Sequence, residues 1–124
     1  NLYGNAIIVN TDFASANADV VKSFLGAVGK GWKDAASNPS SAIEALAKRN
    51  PAADKTLEER RFKLALSGNV MTDYVVKNGM GNIDNARFEK AINQLSETYT
   101  YKTKPNAKLY FTDMYLPTGG FKLK

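Results

Sequence analysis

The stretch Leu2-Tyr3-Gly4-Asn5-Ala6-Ile7-Ile8-Val9-Asn10 decides the fold that this sequence predicts. Its centre, residues 6–9, is a continuous apolar run with β-branched residues, and it is bounded by Gly4 and by Asn10-Thr11-Asp12. Such a run is typical of a strand that is buried on both faces of a sheet. A single strand cannot form a sheet, so its partners must come from later in the chain, from a second copy, or from missing sequence.

The clearest helical pattern follows this strand, from Asn17 to about Ser37. Asn17 is a plausible N-cap, and apolar residues recur every four positions along one predicted buried face. Three glycines interrupt the pattern, although each costs about 1 kcal/mol relative to Ala in a helix interior. We expect them to allow close packing against another element. The four apolar residues are Val20, Phe24, Val28 and Trp32, and the glycines are Gly26, Gly29 and Gly31.

Three further helices are predicted from capping signals. Asn38-Pro39 starts one with Ile43 and Leu46 inward, and Asp84 caps another that runs to about Thr98. Thr56 and Glu59 form a capping box for a third, which Ser67-Gly68-Asn69 should weaken. The sequence therefore predicts a mainly helical α/β fragment, with about four helices and one or two strands. That imbalance indicates that the rest of a sheet is elsewhere.

Composition excludes several classes of function. The chain has 124 residues, with 17 Lys and Arg against 12 Asp and Glu, and neither Cys nor His. The absence of Cys and His rules out disulfides, thiolate metal sites and a His-based triad, and makes structural zinc a poor hypothesis. The longest apolar run is far too short to cross a membrane. No cofactor and no catalytic constellation are predicted.

Three motifs leave alternatives open. Gly79-Met80-Gly81 precedes a helix but lacks the third glycine of a dinucleotide fingerprint, so a loop is the favoured interpretation. Tyrosines and lysines interleave between Tyr99 and Tyr115, a pattern that can bind single-stranded nucleic acid or simply close a core. Tyr3-Gly4-Asn5 can present a ring and hydrogen-bonding groups to a small ligand, or can be a turn.

Several short segments, taken in order, carry a resemblance to a known family. They are Tyr3-Gly4-Asn5-Ala6-Ile7-Ile8-Val9, Asn17-Ala18-Asp19-Val20-Val21-Lys22-Ser23-Phe24, Gly31-Trp32-Lys33-Asp34-Ala35-Ala36, Asn38-Pro39, Gly79-Met80-Gly81-Asn82-Ile83-Asp84 and Phe111-Thr112-Asp113-Met114-Tyr115-Leu116. In order and spacing they resemble the nitrate/sulfonate/taurine and thiamine-pyrimidine-precursor class of solute-binding proteins of ABC importers. Residues 50–77 match that class poorly.

The resemblance implies a periplasmic-binding-protein-like fold with two α/β lobes around a cleft. Residues 1–124 are then a single domain that completes the first lobe, and residues 1–10 are the strand that crosses between the lobes. The chain opens at Asn1 without Met or a visible signal peptide, which favours a piece of a longer protein. Ligand would close the lobes together, and the permease would read the closed form.

The resemblance also implies the site and the partners. Tyr3, Gly4 and Asn5 are expected near the hinge and cleft: Tyr3 to stack on or hydrogen-bond with the ligand, Gly4 to allow close backbone approach, and Asn5 to hydrogen-bond. The implied partners are a small organic molecule or oxyanion, an ABC permease in the bacterial periplasm, and the missing N-terminal part of the protein. A homodimer or strand swap of the fragment stays open. No enzymatic activity, nucleic acid or membrane insertion is implied.

Two other functions compete with this one. A stand-alone helical interaction domain would fold as a monomer, with its strand tucked onto its own helices. A nucleic-acid binder that uses the basic C-terminal third would bind with steep salt dependence.

Overall fold

The computed structural model describes residues 3–103 and 105–123, and this part of the chain is mainly helical, as predicted. A π-helical turn, Leu66–Val70, directly follows the fourth of its helices. The α-helices are α1 (Thr11–Ala16), α2 (Ala18–Ser37), α3 (Pro39–Arg49), α4 (Lys55–Ala65), α5 (Asp73–Asn78), α6 (Asn85–Thr98) and α7 (Ala107–Tyr110).

The strand predicted over residues 2–10 is not formed. Leu2 lies outside the described residues, and residues 3–10 have no regular secondary structure. Ile8 is 93% exposed, and Ile7 and Val9 are exposed as well, so burial on both faces is also wrong for this chain. The physical reason is that no other described segment lies alongside to share backbone hydrogen bonds. Among the described residues the β-type pairing is limited to an isolated bridge between Met80 and Phe121.

Helix α2 has the predicted bounds but a different buried face. Val21 and Gly29 are buried, whereas Val20 and Phe24 are more than half exposed, so this part of the predicted stripe is wrong. Asn17 occupies the N-cap position without capping through its side chain. Its amide nitrogen donates instead to the Phe13 carbonyl, 3.0 Å away, at the end of α1.

Helix α2 also packs on its neighbours through Trp32. The indole is half-buried and stacks on the ring of Phe62 in α4, with ring centroids 6.2 Å apart and planes at 22°. Helix α3 starts at Pro39 as predicted, with the Asn38 side chain accepting from the Ser41 N–H at 3.1 Å. Helices α2, α3 and α4 thus form one contiguous layer.

The capping box at Thr56 is not formed, because α4 starts earlier. The carboxylate of Asp54 accepts from the Leu57 N–H at 3.0 Å and takes the N-cap role. Glu59 does not reach back along the helix; it pairs with Lys63 at 2.8 Å. Asp54 therefore occupies the N-cap position that the sequence predicted for Thr56, since its short carboxylate side chain is also a favoured N-cap acceptor.

The expected weakening at residues 67–69 is confirmed as the π-helical turn, a local widening of the helix. Residues 73–78 are helical, with the Thr72 side chain accepting from the Val75 N–H. The predicted cap at Asp84 is confirmed: its carboxylate accepts from the Arg87 N–H at 2.9 Å at the start of α6. Ala91 is the buried residue of that helix.

The C-terminal tail, residues 118–123, packs against α2 and against the loop of residues 79–81. The Phe121 ring lies against Gly29 of α2, where an added Cβ would overlap the ring. Phe121 and Met80 exchange two backbone hydrogen bonds of 2.9 Å, and Gly120 and Leu123 are buried. The expectation that helix glycines allow close packing is therefore confirmed at Gly29. Gly26 and Gly31 face open space.

The buried core of the described residues is small. It comprises Ala14, Val21, Ile43, Ala91 and Leu123 among apolar residues, with no large side chain fully buried. The chain exposes 9537 Å², whereas a compact protein of this mass exposes about 6,500 Å². This fold therefore leaves roughly 3,000 Å² more surface in water than its mass requires.

Candidate functional site

Tyr3 joins the N-terminal segment, residues 3–10, to the start of α6. Its hydroxyl oxygen accepts a hydrogen bond of 2.8 Å from the backbone N–H of Asp84, across 81 positions of sequence. Asp84 in turn caps α6 through its carboxylate. The Tyr3 oxygen therefore satisfies a donor just before the first turn of α6, where N–H groups have no partner within the helix.

The ring of Tyr3 is held by two side chains of α6. The guanidinium carbon of Arg87 lies 4.4 Å from the ring centroid, a cation–π geometry. Phe88 meets the ring edge-on, with centroids 6.2 Å apart and planes at 66°. Arg87 and Phe88 therefore both contact the Tyr3 ring, and the stacking of this ring on a ligand stays a prediction.

Gly4 and Asn5 are placed quite differently from Tyr3. Both are exposed, and no described atom lies within 4 Å of the position where a Cβ at Gly4 would stand. Neither residue hydrogen-bonds with the described part of the chain. The amide of Asn5 and the backbone groups of both residues are thus open to an external partner.

Tyr74 completes the polar surroundings of Tyr3. Burial raises the pKa of the Tyr74 phenol, and electrostatic interaction with Tyr3 and Asp84 raises it further. Tyr74 is half-buried in α5. Sequence reasoning found Asp84 through its capping position but missed Arg87 and Tyr74, since neither belongs to a recognisable motif.

Two depressions elsewhere on the surface offer little as ligand sites. A cavity of about 50 Å³ is lined by Met71, Val75, Val76, Lys122 and Leu123, which is far below the size of an organic ligand. A wider but open depression of about 400 Å³ is lined by Lys55, Thr56, Glu59, Arg60 and Lys63. Part of its charge is neutralised, because Lys55 pairs with Glu44 and Lys63 with Glu59.

The Gly79-Met80-Gly81 loop serves packing in this structure. Gly79 and Gly81 both have positive φ, at 84° and 105°, and Gly79 is buried against Gly119 and Gly120. These contacts agree with the loop interpretation of the motif.

Comparison with known proteins adds one finding. Residues 1–42 match the family model described as NMT1/THI5 like. The match spans 42 of the 124 residues and includes Tyr3, Gly4, Asn5 and α2. It supports a relation to the nitrate, sulfonate and thiamine-precursor binding proteins over this segment, and a solute-binding role at that coarse level. No curated protein and no solved structure matches the chain.

Residues 3–103 and 105–123 offer neither a metal-binding cluster nor a membrane-spanning helix. They contain no group of three or more His, Cys, Asp or Glu side chains placed to hold a metal ion. None of the helices formed by these residues combines the length and the apolar character needed to span a bilayer.

Proposed function

We propose that this chain is part of the extracytoplasmic solute-binding component of an ABC importer and captures a small organic molecule or an oxyanion without chemical change. The observation that carries the proposal is the family match over residues 1–42. The matched stretch contains the exposed, unpartnered groups of Gly4 and Asn5, and these are the groups that a ligand can reach.

In this proposal Tyr3 and its two neighbours have different roles. The contacts of Tyr3 with Asp84, Arg87 and Phe88 fix the start of the segment on α6. Asn5 supplies an amide donor and acceptor to the ligand, and Gly4 lets the ligand approach the backbone closely. The oxygen of the Tyr3 hydroxyl accepts a hydrogen bond from the Asp84 N–H. The O–H group of Tyr3 is then still able to donate a hydrogen bond to a ligand oxygen.

The capture mechanism is closure of two lobes around the ligand, with this chain completing the first lobe and residues 1–10 crossing between lobes. The unpaired backbone of residues 4–9 and the large exposed surface support an incomplete lobe. The remaining partners in this proposal are the N-terminal part of the protein and a permease that reads the closed form in the bacterial periplasm.

Ligand binding is tested by thermal unfolding of the protein that carries both lobes, with nitrate, taurine and an aminopyrimidine, one compound of each class. One class should raise Tm in a dose-dependent way, since a ligand that binds only the folded state stabilises it. Asn5→Ala should abolish the shift. Asn93→Ala, which alters an exposed asparagine of α6, should leave it unchanged. No shift with any class, or an equal shift in both variants, contradicts the proposal.

The stand-alone helical interaction domain is favoured by one observation. The described chain is mainly helical and exposes many large apolar side chains, including Leu64, Leu109 and Met114. This alternative predicts a stable monomer that binds none of the three compounds.

A further inference from the structure

The stretch that follows α6 carries positive charge without negative charge. Between Glu97 and Asp113 the sequence has three lysines and no acidic residue. The lysines are Lys102, Lys104 and Lys108, of which Lys104 lies outside the described residues. We call residues 98–112 the basic segment. From its sequence alone, the tyrosines of this segment could either bind single-stranded nucleic acid or close a core.

The positive charge of the basic segment is not neutralised within the chain. Lys102 and Lys108 are exposed, and neither forms a salt bridge with the part of the chain that the structure describes. The cations of α4 differ in this respect, since Arg61, for example, contacts Glu58 at 2.7 Å. The basic segment is therefore complementary to an external surface of negative charge.

The tyrosines of the basic segment do not close a core. Tyr99, Tyr101 and Tyr110 are 59%, 42% and 67% exposed. The rings of Tyr99 and Tyr101 lie with their centroids 6.4 Å apart and their planes at 45°. Leu109, which lies between Lys108 and Tyr110 on α7, is 78% exposed. The segment thus presents phenol rings and an aliphatic side chain to the solvent, next to lysine ammonium groups.

Among negatively charged partners, an anionic bilayer surface fits this combination better than single-stranded nucleic acid does. Lysines are attracted to anionic headgroups, and tyrosine rings suit the boundary between headgroups and acyl chains because one end is apolar and the other is polar. Nucleic-acid bases stack on aromatic rings, and an aliphatic side chain offers no such platform. The exposed side chain of Leu109 can instead leave water by entering the apolar boundary layer.

We propose that the basic segment docks this protein on the surface of an anionic phospholipid bilayer. Its three lysines lie at the lipid phosphate groups, and Leu109 and Tyr110 reach the apolar boundary. The segment does not span the bilayer: among the described residues after α6 only the four of α7 are helical, and unpaired peptide groups are not tolerated in hydrocarbon. This inference goes beyond the proposed solute binding and does not depend on it.

Sedimentation with vesicles tests the proposal on the whole chain. Vesicles of equal parts phosphatidylglycerol and phosphatidylcholine should bind the protein at about 0.1 M salt and release it at about 0.5 M, since salt screens the attraction. Vesicles of phosphatidylcholine alone should bind it about a hundredfold more weakly, at about fivefold for each of the three lysines. Equal binding to both kinds of vesicle, or binding to neither, overturns the proposal.

Two double variants locate the electrostatic contact. Lys102→Gln with Lys108→Gln should weaken binding to the anionic vesicles about 25-fold, at about fivefold for each charge removed. Lys33→Gln with Lys48→Gln removes the same charge at exposed positions of α2 and α3, and should change binding by less than about twofold because distant charges are screened. Equal losses in the two double variants would show that net charge alone drives binding, and would overturn the proposal.

A second pair of variants tests the apolar contact. Leu109→Ser should weaken vesicle binding about tenfold, because the burial of an aliphatic side chain is lost. Leu64→Ser, at an exposed leucine of α4, should leave it unchanged. A segment that serves single-stranded nucleic acid would instead bind an oligothymidylate, and Leu109→Ser would not weaken that binding. Binding of the oligothymidylate without binding of the anionic vesicles, or equal vesicle binding by the two leucine variants, overturns the proposal.

Discussion

The two ends of the described chain lack regular secondary structure, yet they behave in opposite ways. The N-terminal segment touches α6 through Tyr3 and then leaves Ile7, Ile8 and Val9 in solvent. The C-terminal tail, residues 118–123, places Phe121 on α2, bridges Met80 and buries Leu123. The more apolar of the two ends is therefore the one that is less buried.

The difference shows that apolar content alone does not secure burial of an irregular segment. The tail is buried because α2 has no side chain at Gly29, and because Met80 offers its peptide N–H and C=O to Phe121. An unpaired peptide group in an apolar interior costs free energy comparable to a lost hydrogen bond. Residues 4–9 have no such partner among the described residues and stay outside.

The largest expected loss of stability is from Gly79→Ala, where the loop of residues 79–81 contacts the C-terminal tail. Gly79 has φ 84° and ψ 158°, and a Cβ there would overlap the Gly119 carbonyl. Strain and overlap together should lower the free energy of unfolding by about 2–5 kcal/mol. Gly119→Ala is the control: its φ is 78° but its Cβ would meet open space, so it should cost only about 1–2 kcal/mol. Equal losses in urea titrations would show that Gly79 is not a packing contact.

A second pair of variants separates the tail contact from helix propensity within α2. Gly29→Ala pushes on the Phe121 ring and should cost about 1–2 kcal/mol, because the overlap exceeds the gain in helix propensity. Gly26→Ala faces open space and should stabilise by about 0.5–1 kcal/mol. The opposite signs are measurable as opposite shifts in Tm. A gain in both variants would mean that the tail does not lie against α2.

The hydrogen bond of Tyr3, which holds the N-terminal segment on α6, should contribute less to the free energy of unfolding than the contacts of the C-terminal tail. Tyr3→Phe keeps the ring contacts but leaves the Asp84 N–H without its acceptor, which should cost about 1 kcal/mol. Tyr110→Phe, at an exposed tyrosine of α7, should cost nothing measurable by chemical denaturation. If the two variants were equally stable, the hydroxyl of Tyr3 would not hold the segment.

The smallest effect is a dependence on alkaline pH. Tyr74 ionises at about pH 10 in an unfolded chain, and burial raises its pKa in the fold. Between those two values the unfolded chain loses the proton first, so stability falls as pH rises. Tyr74→Phe should remove the part of the fall that begins near the unfolded pKa of about 10 and change stability little below about pH 9. If the free energy of unfolding fell with pH equally steeply in the variant, the Tyr74 hydroxyl would be solvated in the fold.

Local signals in the sequence predicted most helices, and tertiary contacts account for the errors. Asn38-Pro39 and Asp84 cap as predicted, since their partners lie within three residues. The stripe of Val20 and Phe24 is wrong, and no local pattern indicated that Phe121, some ninety positions away, packs on α2 at Gly29. The strand over residues 2–10 has the right pattern, but pairing needs a neighbour that no local pattern supplies.

For the candidate site, the sequence indicated a segment but not its surroundings. The partners of Tyr3 lie more than eighty positions away on α6, at a distance in sequence where motifs carry no information about contact. Whether Tyr3, Gly4 and Asn5 bind a solute stays a prediction.

The most direct test of the contrast between the two ends is amide hydrogen exchange on the parent chain. The amides of residues 5–9 have no partner within the described chain and should exchange fast, whereas the amides of Met80 and Phe121 donate to each other's carbonyl groups and should exchange slowly. Equal exchange rates at the two ends would contradict this account.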